Sequence, residues 1–181
     1  MNLHKTGRLA LVTATSGFMV GLAFLTGGSS NAIGGLCNGS PASHTWLDAS
    51  GQYGPALIDG TDHDDTIIGS DGDDILDGHD GDDYICGAAG DDRISGGHGD
   101  DAIRGDTGDD DLDGGKGVDT VVGDGGNDTV AGGGDYDMLV GGSGDDVMIG
   151  ADDSSEDKIE AGDDFDVCLF GPGDELGDCE Y

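Results

Sequence analysis

A nine-residue repeat runs without interruption from Gly60 to Ile149 and constrains the fold more than any other feature of the chain. In ten consecutive blocks the first residue is glycine, the sixth is aspartate and the eighth is apolar. Self-similarity at a short fixed period is typical of solenoids, in which each block buries its apolar side chain only by stacking on its neighbours. Ten blocks in unbroken register make a chance origin implausible.

Each column of the repeat has a physical interpretation. Positions 7 to 9 can form a very short strand, whose alternation sends position 8 into a narrow core. Position 7 includes Arg93 and Asp111, which indicates a solvent-exposed outer face. Positions 1 to 6 are predicted to form the turn, with glycines at positions 1 and 4 supplying positive φ values. The exceptions at position 4 are His63 and Asp135, residue types that tolerate left-handed geometry.

The charge of the chain limits its partners. The 181 residues include 40 Asp and Glu but only 6 Lys and Arg, which gives a formal net charge of −34. Such a chain repels the phosphate backbone, so nucleic acid is excluded as a partner, and anionic membranes are disfavoured. What so many carboxylates attract is cations.

The position-6 aspartates are the candidate metal ligands. Loops of glycine and aspartate offer carbonyl and carboxylate oxygens, the ligands that Ca²⁺ takes in sets of six to eight. Zinc or copper would need shared thiol or imidazole spacing, whereas His79 and His98 fall at different block positions and are interpreted as solvated turn residues. The position-5 acids are interpreted as supporting charge and turn stabilisation. The predicted metal ligands are Asp65, Asp74, Asp83, Asp92, Asp101, Asp110, Asp119, Asp128, Asp137 and Asp146.

The consensus of these blocks, GGxGxDxUx with U a large apolar residue, resembles the hemolysin-type calcium-binding nonapeptide, or RTX repeat. The resemblance implies an all-β fold, a right-handed parallel β-roll of about ten repeats with capped ends, in which two consecutive blocks make one turn. It also implies calcium ions between stacked loops, held by the position-6 carboxylates and by main-chain carbonyls. Stacked partners then lie 18 residues apart, as Asp65 and Asp83 do, which allows up to about eight interior sites.

A core this thin predicts that folding depends on the ions. Ten apolar side chains bury little surface compared with the conformational entropy lost in ordering ninety residues. Stacked carboxylates also repel one another when no counterion lies between them. We therefore expect an expanded, disordered chain without calcium and a compact roll with it.

Residues 1–32 are predicted to be a secretory signal peptide. Lys5 and Arg8 form a basic start, Leu9–Leu25 is apolar, and Ser30–Ala32 is a small-residue cleavage pattern. An uncleaved membrane anchor is the alternative, but the apolar stretch is shorter than the roughly 20 residues of a spanning helix. The mature protein is expected to be secreted into the extracellular space with no membrane attachment, where cysteines oxidise.

The regions beside the repeats are predicted to be caps. The boundaries are 33–59 for an N-terminal cap, 60–149 for the β-roll and 150–181 for a C-terminal cap. The segment Gly51–Asp59 fits the block register but carries Ala56 in place of the aspartate, and Trp46 and Tyr53 are expected to cover the end of the core. The register slips after Ile149 and recovers around residues 165–168.

The four cysteines allow three pairings. Cys86 is at position 9, on the outer face, where the N-terminal segment that carries Cys37 could reach it. Cys168 and Cys179 flank a short Gly/Pro loop. The favoured pairs are Cys37–Cys86 and Cys168–Cys179, one at each end of the roll.

The predicted function is that of an extracellular, monomeric calcium-binding protein that is not an enzyme. The chain contains no HExxH and no GxSxG motif, and its neighbouring carboxylates occupy repeat positions that are already explained. Calcium ions are the partners that the sequence identifies, and a protein partner is left open. The alternatives are a structural or adhesive module of the cell exterior and the scaffold of a secreted hydrolase.

Overall fold

The computed structural model describes residues 57–150 and 156–179, together with the backbone of residues 45–47. All regular structure in these ranges is strand. The strands are β1 (Thr45–Leu47), β2 (Leu57–Thr61), β3 (Thr66–Ile68), β4 (Ile75–Asp80), β5 (Tyr84–Ala89), β6 (Arg93–His98), β7 (Ala102–Thr107), β8 (Asp111–Lys116), β9 (Thr120–Gly125), β10 (Thr129–Gly134), β11 (Met138–Ser143), β12 (Val147–Ile149), β13 (Lys158–Asp163), β14 (Val167–Leu169) and β15 (Glu175–Gly177).

The strands form two parallel sheets that alternate along the chain. The odd-numbered strands make one sheet in the order β1-β3-β5-β7-β9-β11-β13-β15, and the even-numbered strands make the other, from β14 to β2. Each strand pairs with the strand two further along, so two consecutive strands make one turn of a solenoid. In the regular repeats the paired residues are 18 apart, as Ile85 and Ile103 are. The predicted all-β, parallel β-roll is confirmed.

The strands are longer than the sequence predicted. Most contain six residues, because they continue through position 9 into positions 1 to 3 of the next block. Between β4 and β6 the pairing omits Gly78 and resumes at His79, so the strand bends at position 1 and does not end there. The turn is therefore confined to positions 4 to 6. It follows that His79 and His98 lie in strands, and their interpretation as turn residues was wrong.

The core is one layer of side chains between the two sheets, to which each sheet contributes a row. All ten position-8 residues are buried, from Ile67 to Met148, and the layer continues with Ile58 before them and Ile159 after them. Burial of Ile58 supports the predicted register of the preceding segment. Nothing else large fills the space between the sheets in the described residues, so the apolar core is thin.

Two glycine positions are required for different reasons. Position 4 has positive φ from Gly81 onwards, and Asp135 adopts φ 76° at the same position, although His63 does not follow. Position 1 does not have positive φ, so that prediction was wrong. A Cβ on Gly114 would lie 2.5 Å from the carbonyl oxygen of Gly132 and 2.6 Å from Oδ2 of Asp119. Position 1 is glycine because the next coil and the aspartate of its own block approach so closely.

The ends are described in part. The disulfide Cys168–Cys179 is present, as predicted, and Cys168 and Cys179 pack against the core. Cys86 is also disulfide-bonded, whereas Cys37 lies outside the described residues, so the Cys37–Cys86 pair stays a prediction. The predicted signal peptide, Tyr53 and Ala56 also lie outside them. Strand β1 pairs with β3, but the side chain of Trp46 is not described. No helix long and apolar enough to cross a membrane occurs in the described ranges.

Candidate metal centre

The ten predicted ligands form two columns, because each aspartate is the residue immediately before a strand. Those that precede the odd-numbered strands line one edge of the roll and those that precede the even-numbered strands line the other. All ten are buried, with at most 3% of their surface exposed. Asp65, Asp83, Asp101, Asp119 and Asp137 make the first column; Asp74, Asp92, Asp110, Asp128 and Asp146 make the second.

From Asp83 onwards, each carboxylate of the two columns is joined to the coil before it by a hydrogen bond. The backbone N–H of Asp92 donates to Oδ1 of Asp110 over 2.8 Å, and that of Asp110 donates to Oδ1 of Asp128 over 2.9 Å. The same bond links all eight pairs at 18-residue spacing, from Asp65 with Asp83 to Asp128 with Asp146. One oxygen of each of these eight carboxylates therefore holds two coils together.

The second oxygen of the interior carboxylates is buried with no hydrogen-bond partner among the described residues. This is so for Oδ2 of Asp83, Asp92, Asp101, Asp110, Asp119, Asp128 and Asp146. Burial of a charged oxygen without a compensating partner costs several kcal/mol, so such groups are paired with a cation or become neutral. A carbonyl oxygen of the next coil approaches the same position-1 glycine, since the carbonyl oxygen of Gly132 and Oδ2 of Asp119 both lie within 2.6 Å of where a Cβ on Gly114 would be. Carboxylate and carbonyl oxygens together are a donor set that fits Ca²⁺.

The turns of the first two blocks differ from those further along the roll. Oδ2 of Asp65 accepts hydrogen bonds from the Thr61 backbone N–H and from its hydroxyl, at 2.7 and 2.8 Å. Oδ2 of Asp74 accepts a hydrogen bond from the N–H of Ser70 at 2.5 Å. In these two blocks the position-2 residue donates a hydrogen bond to Oδ2, the oxygen that has no hydrogen-bond partner in most later blocks of the described chain. The candidate centre is therefore open beyond the first two blocks.

Burial changes the acid–base behaviour of the interior carboxylates. It raises the pKa of Asp92, Asp101 and Asp110 to about 7, against the lowering effect of the hydrogen bond from the preceding coil. The pKa values of Asp119 and Asp128 are raised to about 6 for the same reason. Repulsion from neighbouring carboxylates adds to the rise. Without a cation, these carboxylates therefore bind protons near neutral pH.

The position-5 residues form separate, exposed ladders. Here the hydrogen bond runs the other way, since the N–H of Asp91 donates to Oδ1 of Asp73, and that of Asp109 donates to Oδ1 of Asp91. Asn127 takes part in the same manner and accepts from Asp145, so the ladder needs a side-chain oxygen and not a charge. This geometry supports the interpretation of position 5 as turn stabilisation.

The columns continue beyond the last block, where the sequence prediction stopped. The N–H of Asp137 donates to Oδ1 of Asp157 over 3.0 Å, and that of Asp146 donates to Oδ1 of Asp166 over 2.9 Å. Both partners are fully buried, and Oδ2 of Asp166 has no hydrogen-bond partner in the described residues. Their spacing is 20 residues, which breaks the nine-residue register. A sequence signal could have identified them: each is an aspartate followed two residues later by an apolar residue, as in every repeat block.

Comparison with known proteins gives a consistent result. A family model for the RTX calcium-binding nonapeptide repeat, in four copies, matches residues 59–94, 87–121 and 122–155. Together these matches cover residues 59–155, more than half of the chain. A search of the curated proteins found no match.

Proposed function

Because the chain belongs to the RTX calcium-binding nonapeptide repeat family, we propose that it is a secreted protein whose β-roll binds several calcium ions and folds on binding them. Its proposed organisation is a signal peptide (1–32), an N-terminal cap (33–59), the roll (60–149) and a C-terminal cap (150–181). The proposed ligands are the position-6 aspartates, from Asp65 to Asp146, with the interior members carrying most of the binding.

One observation carries this proposal: Oδ2 of most interior aspartates, such as Asp92 and Asp110, is buried and has no hydrogen-bond partner within the part of the chain that the structure describes. Calcium, when bound, would supply the positive charge that these oxygens lack. The aspartates would hold the ion with one oxygen while the other keeps its hydrogen bond to the preceding coil. The same side chain therefore serves both ion binding and coil stacking, and loss of either would loosen the other.

Coupling of folding to the ion follows from the thin core and the buried charge. A single apolar layer bounded by two columns of carboxylates cannot offset the mutual repulsion of those carboxylates unless a counterion or a proton is present. Binding that is selective for the folded state stabilises it by mass action, and the contributions of several sites add. We infer that calcium concentration decides whether the mature chain is folded.

An extracellular, structural role is consistent with the remaining features. The disulfide Cys168–Cys179 is typical of an oxidising compartment, where calcium modules commonly work in the range of about 0.1 to 1 mM. The RTX β-roll is a calcium-binding scaffold and is not typically catalytic. Among the described residues, every buried carboxylate except that of Asp106 belongs to the repeat columns or their continuation. We therefore propose a non-enzymatic, monomeric calcium binder.

The test is a calcium titration of the mature chain, starting in excess chelator and followed by far-ultraviolet circular dichroism. The strand signal is expected to appear cooperatively with Ca²⁺ and not with Mg²⁺ at equal ionic strength, because Mg²⁺ demands a tighter octahedral site. Asp101→Asn should weaken the response, whereas Asp100→Asn, its exposed neighbour, should leave it nearly unchanged. A strand signal already complete in chelator would refute calcium-dependent folding.

A further inference from the structure

A cluster of possible metal ligands outside the calcium columns lies on the outer face of the even-numbered sheet. It consists of Asp59, Asp77 and His79, whose ligand atoms all lie within 4.8 Å of one another. Nε2 of His79 is 2.5 Å from Oδ1 of Asp59, and its Nδ1 is 3.8 Å from Oδ1 of Asp77. It is the one such group of three among the residues that the structure describes.

The backbone register places these side chains together. Asp59 and Asp77 are direct partners in the pairing of β2 with β4, and His79 is the partner of Thr61 two residues further along. All three side chains are partly or largely exposed, unlike the buried position-6 aspartates. The cluster is therefore open to solvent and separate from the columns assigned to calcium.

We propose that Asp59, Asp77 and His79 bind a divalent transition metal ion of the Zn²⁺ class, with solvent completing its coordination. One imidazole and two carboxylates suit Zn²⁺, Cu²⁺ or Ni²⁺, which accept nitrogen ligands at sites with few donors. Calcium instead takes six to eight oxygens. The site thus differs in chemistry from the proposed calcium sites, and it stands independently of that proposal.

His98 shows why His79 is the distinctive residue. Nδ1 of His98 is 3.2 Å from Oδ1 of Asp80, which is comparable with the pairing of His79. Its other ring nitrogen, however, lies 3.1 Å from the ammonium nitrogen of Lys116, which excludes a second cation. Of these two histidines, only His79 has a carboxylate oxygen within 4.0 Å of each ring nitrogen. The hydrogen bond to Asp59 raises the pKa of His79, so a proton competes with the metal for the ring.

A metal ion here would join the two neighbouring coils that contain β2 and β4. Strand β2 ends a segment whose position 6 is Ala56, so its turn contributes no aspartate to a column. The proposed site links β2 to β4 on the outer face, at the end of the roll where the inner column begins. It would act as an N-terminal clasp.

The test is a Zn²⁺ titration by calorimetry of the mature chain, saturated with Ca²⁺. A single tight site is expected, unchanged when Ca²⁺ is raised tenfold. His79→Gln and Asp59→Asn should each weaken it about 10-fold or more, and His98→Gln should not. Cu²⁺ loaded at one equivalent should show hyperfine coupling to one imidazole nitrogen in electron paramagnetic resonance, lost in His79→Gln.

Two results would overturn the proposal. Equal Zn²⁺ affinity in His79→Gln and the unmodified chain would mean that surface carboxylates alone bind the ion. Zn²⁺ binding that disappears as Ca²⁺ rises would assign the ion to the aspartate columns. In either case the calcium titration described above would be unaffected, so the two proposals fail separately.

Discussion

Protons should replace calcium in folding the roll, and the sign of this effect follows from the buried columns. The pKa values of Asp92 and Asp110 are raised to about 7 in the folded chain, from a usual value near 3.8. A raised pKa means that the folded state binds protons more tightly than the unfolded state does. The stability that this proton binding contributes is complete at a pH below the usual aspartate pKa, and it is lost as the pH rises through 6 to about 7. In chelator, acidification is therefore expected to fold the chain.

The double variant Asp92→Asn/Asp110→Asn isolates this effect. Each asparagine keeps an Oδ1 acceptor for the N–H of the preceding coil and removes a buried charge. A shift of three pKa units corresponds to about 4 kcal/mol for an isolated group, which we reduce to about 1 to 2 kcal/mol each because the two groups interact and water screens them. If about five carboxylates take up protons together, stability changes by about 7 kcal/mol per pH unit. The variant should therefore fold at a pH higher by about half a unit.

The assay is circular dichroism in excess chelator, from about pH 8 to about pH 5, which stays above the sequence pI of about 4.1. The control is Asp91→Asn/Asp109→Asn, which removes the same charge from the adjacent, exposed ladder. It should move the folding curve little, and added salt should remove what shift there is. An equal shift in both variants would refute the reasoning, because general charge repulsion and not the buried columns would then govern folding.

Three further predictions follow from the packing and the ends of the roll. Gly114→Ala should destabilise the calcium-loaded protein by about 1 to 3 kcal/mol in urea unfolding, because the space for its Cβ is taken up by a carbonyl oxygen and a carboxylate. The control is Gly125→Ala, which should change stability by less than about 0.5 kcal/mol because its Cβ would meet nothing closer than 3.5 Å. Asp166→Asn should reduce the number of bound calcium ions seen by native mass spectrometry, and an unchanged count would show that the columns end at the last repeat block. Replacement of Cys168 and Cys179 by serine should lower the free energy of unfolding by about 3 kcal/mol in the same assay, because the disulfide closes a loop with a sequence separation of 11. An unchanged free energy would show that the C-terminal end is already ordered without the disulfide.

The architecture was predictable because each column of the repeat reports a different physical requirement. Position 8 is apolar in every block, and the structure buries all ten of these side chains. Position 6 is aspartate in every block, and the pairing of Asp65 with Asp83 follows at the expected spacing. These requirements are local and recur, so a regular sequence pattern was enough to reveal them.

What escaped prediction depends on contacts between coils. The need for glycine at Gly114 comes from a carbonyl 18 residues away, which no single block contains. Asp157 and Asp166 were missed because their spacing of 20 residues hides them from a search at period nine. The grouping of His79 with Asp59 and Asp77 joins positions 2 and 9 of different blocks, which is visible only once the register of β2 and β4 is known.

The aspartates that hold neighbouring coils together also bury charge in the folded chain. One oxygen of Asp110 accepts the N–H of Asp92 and thereby fixes the stacking of two coils, while the other is buried with no hydrogen-bond partner among the described residues. Replacement of such residues by neutral ones would keep the stacking bond, as Asn127 does in the exposed ladder, and would remove the penalty. Yet position 6 is aspartate in all ten blocks, whereas position 5 is not uniformly acidic. Stability alone would favour asparagine, so the buried charge is consistent with the proposed dependence of folding on a cation.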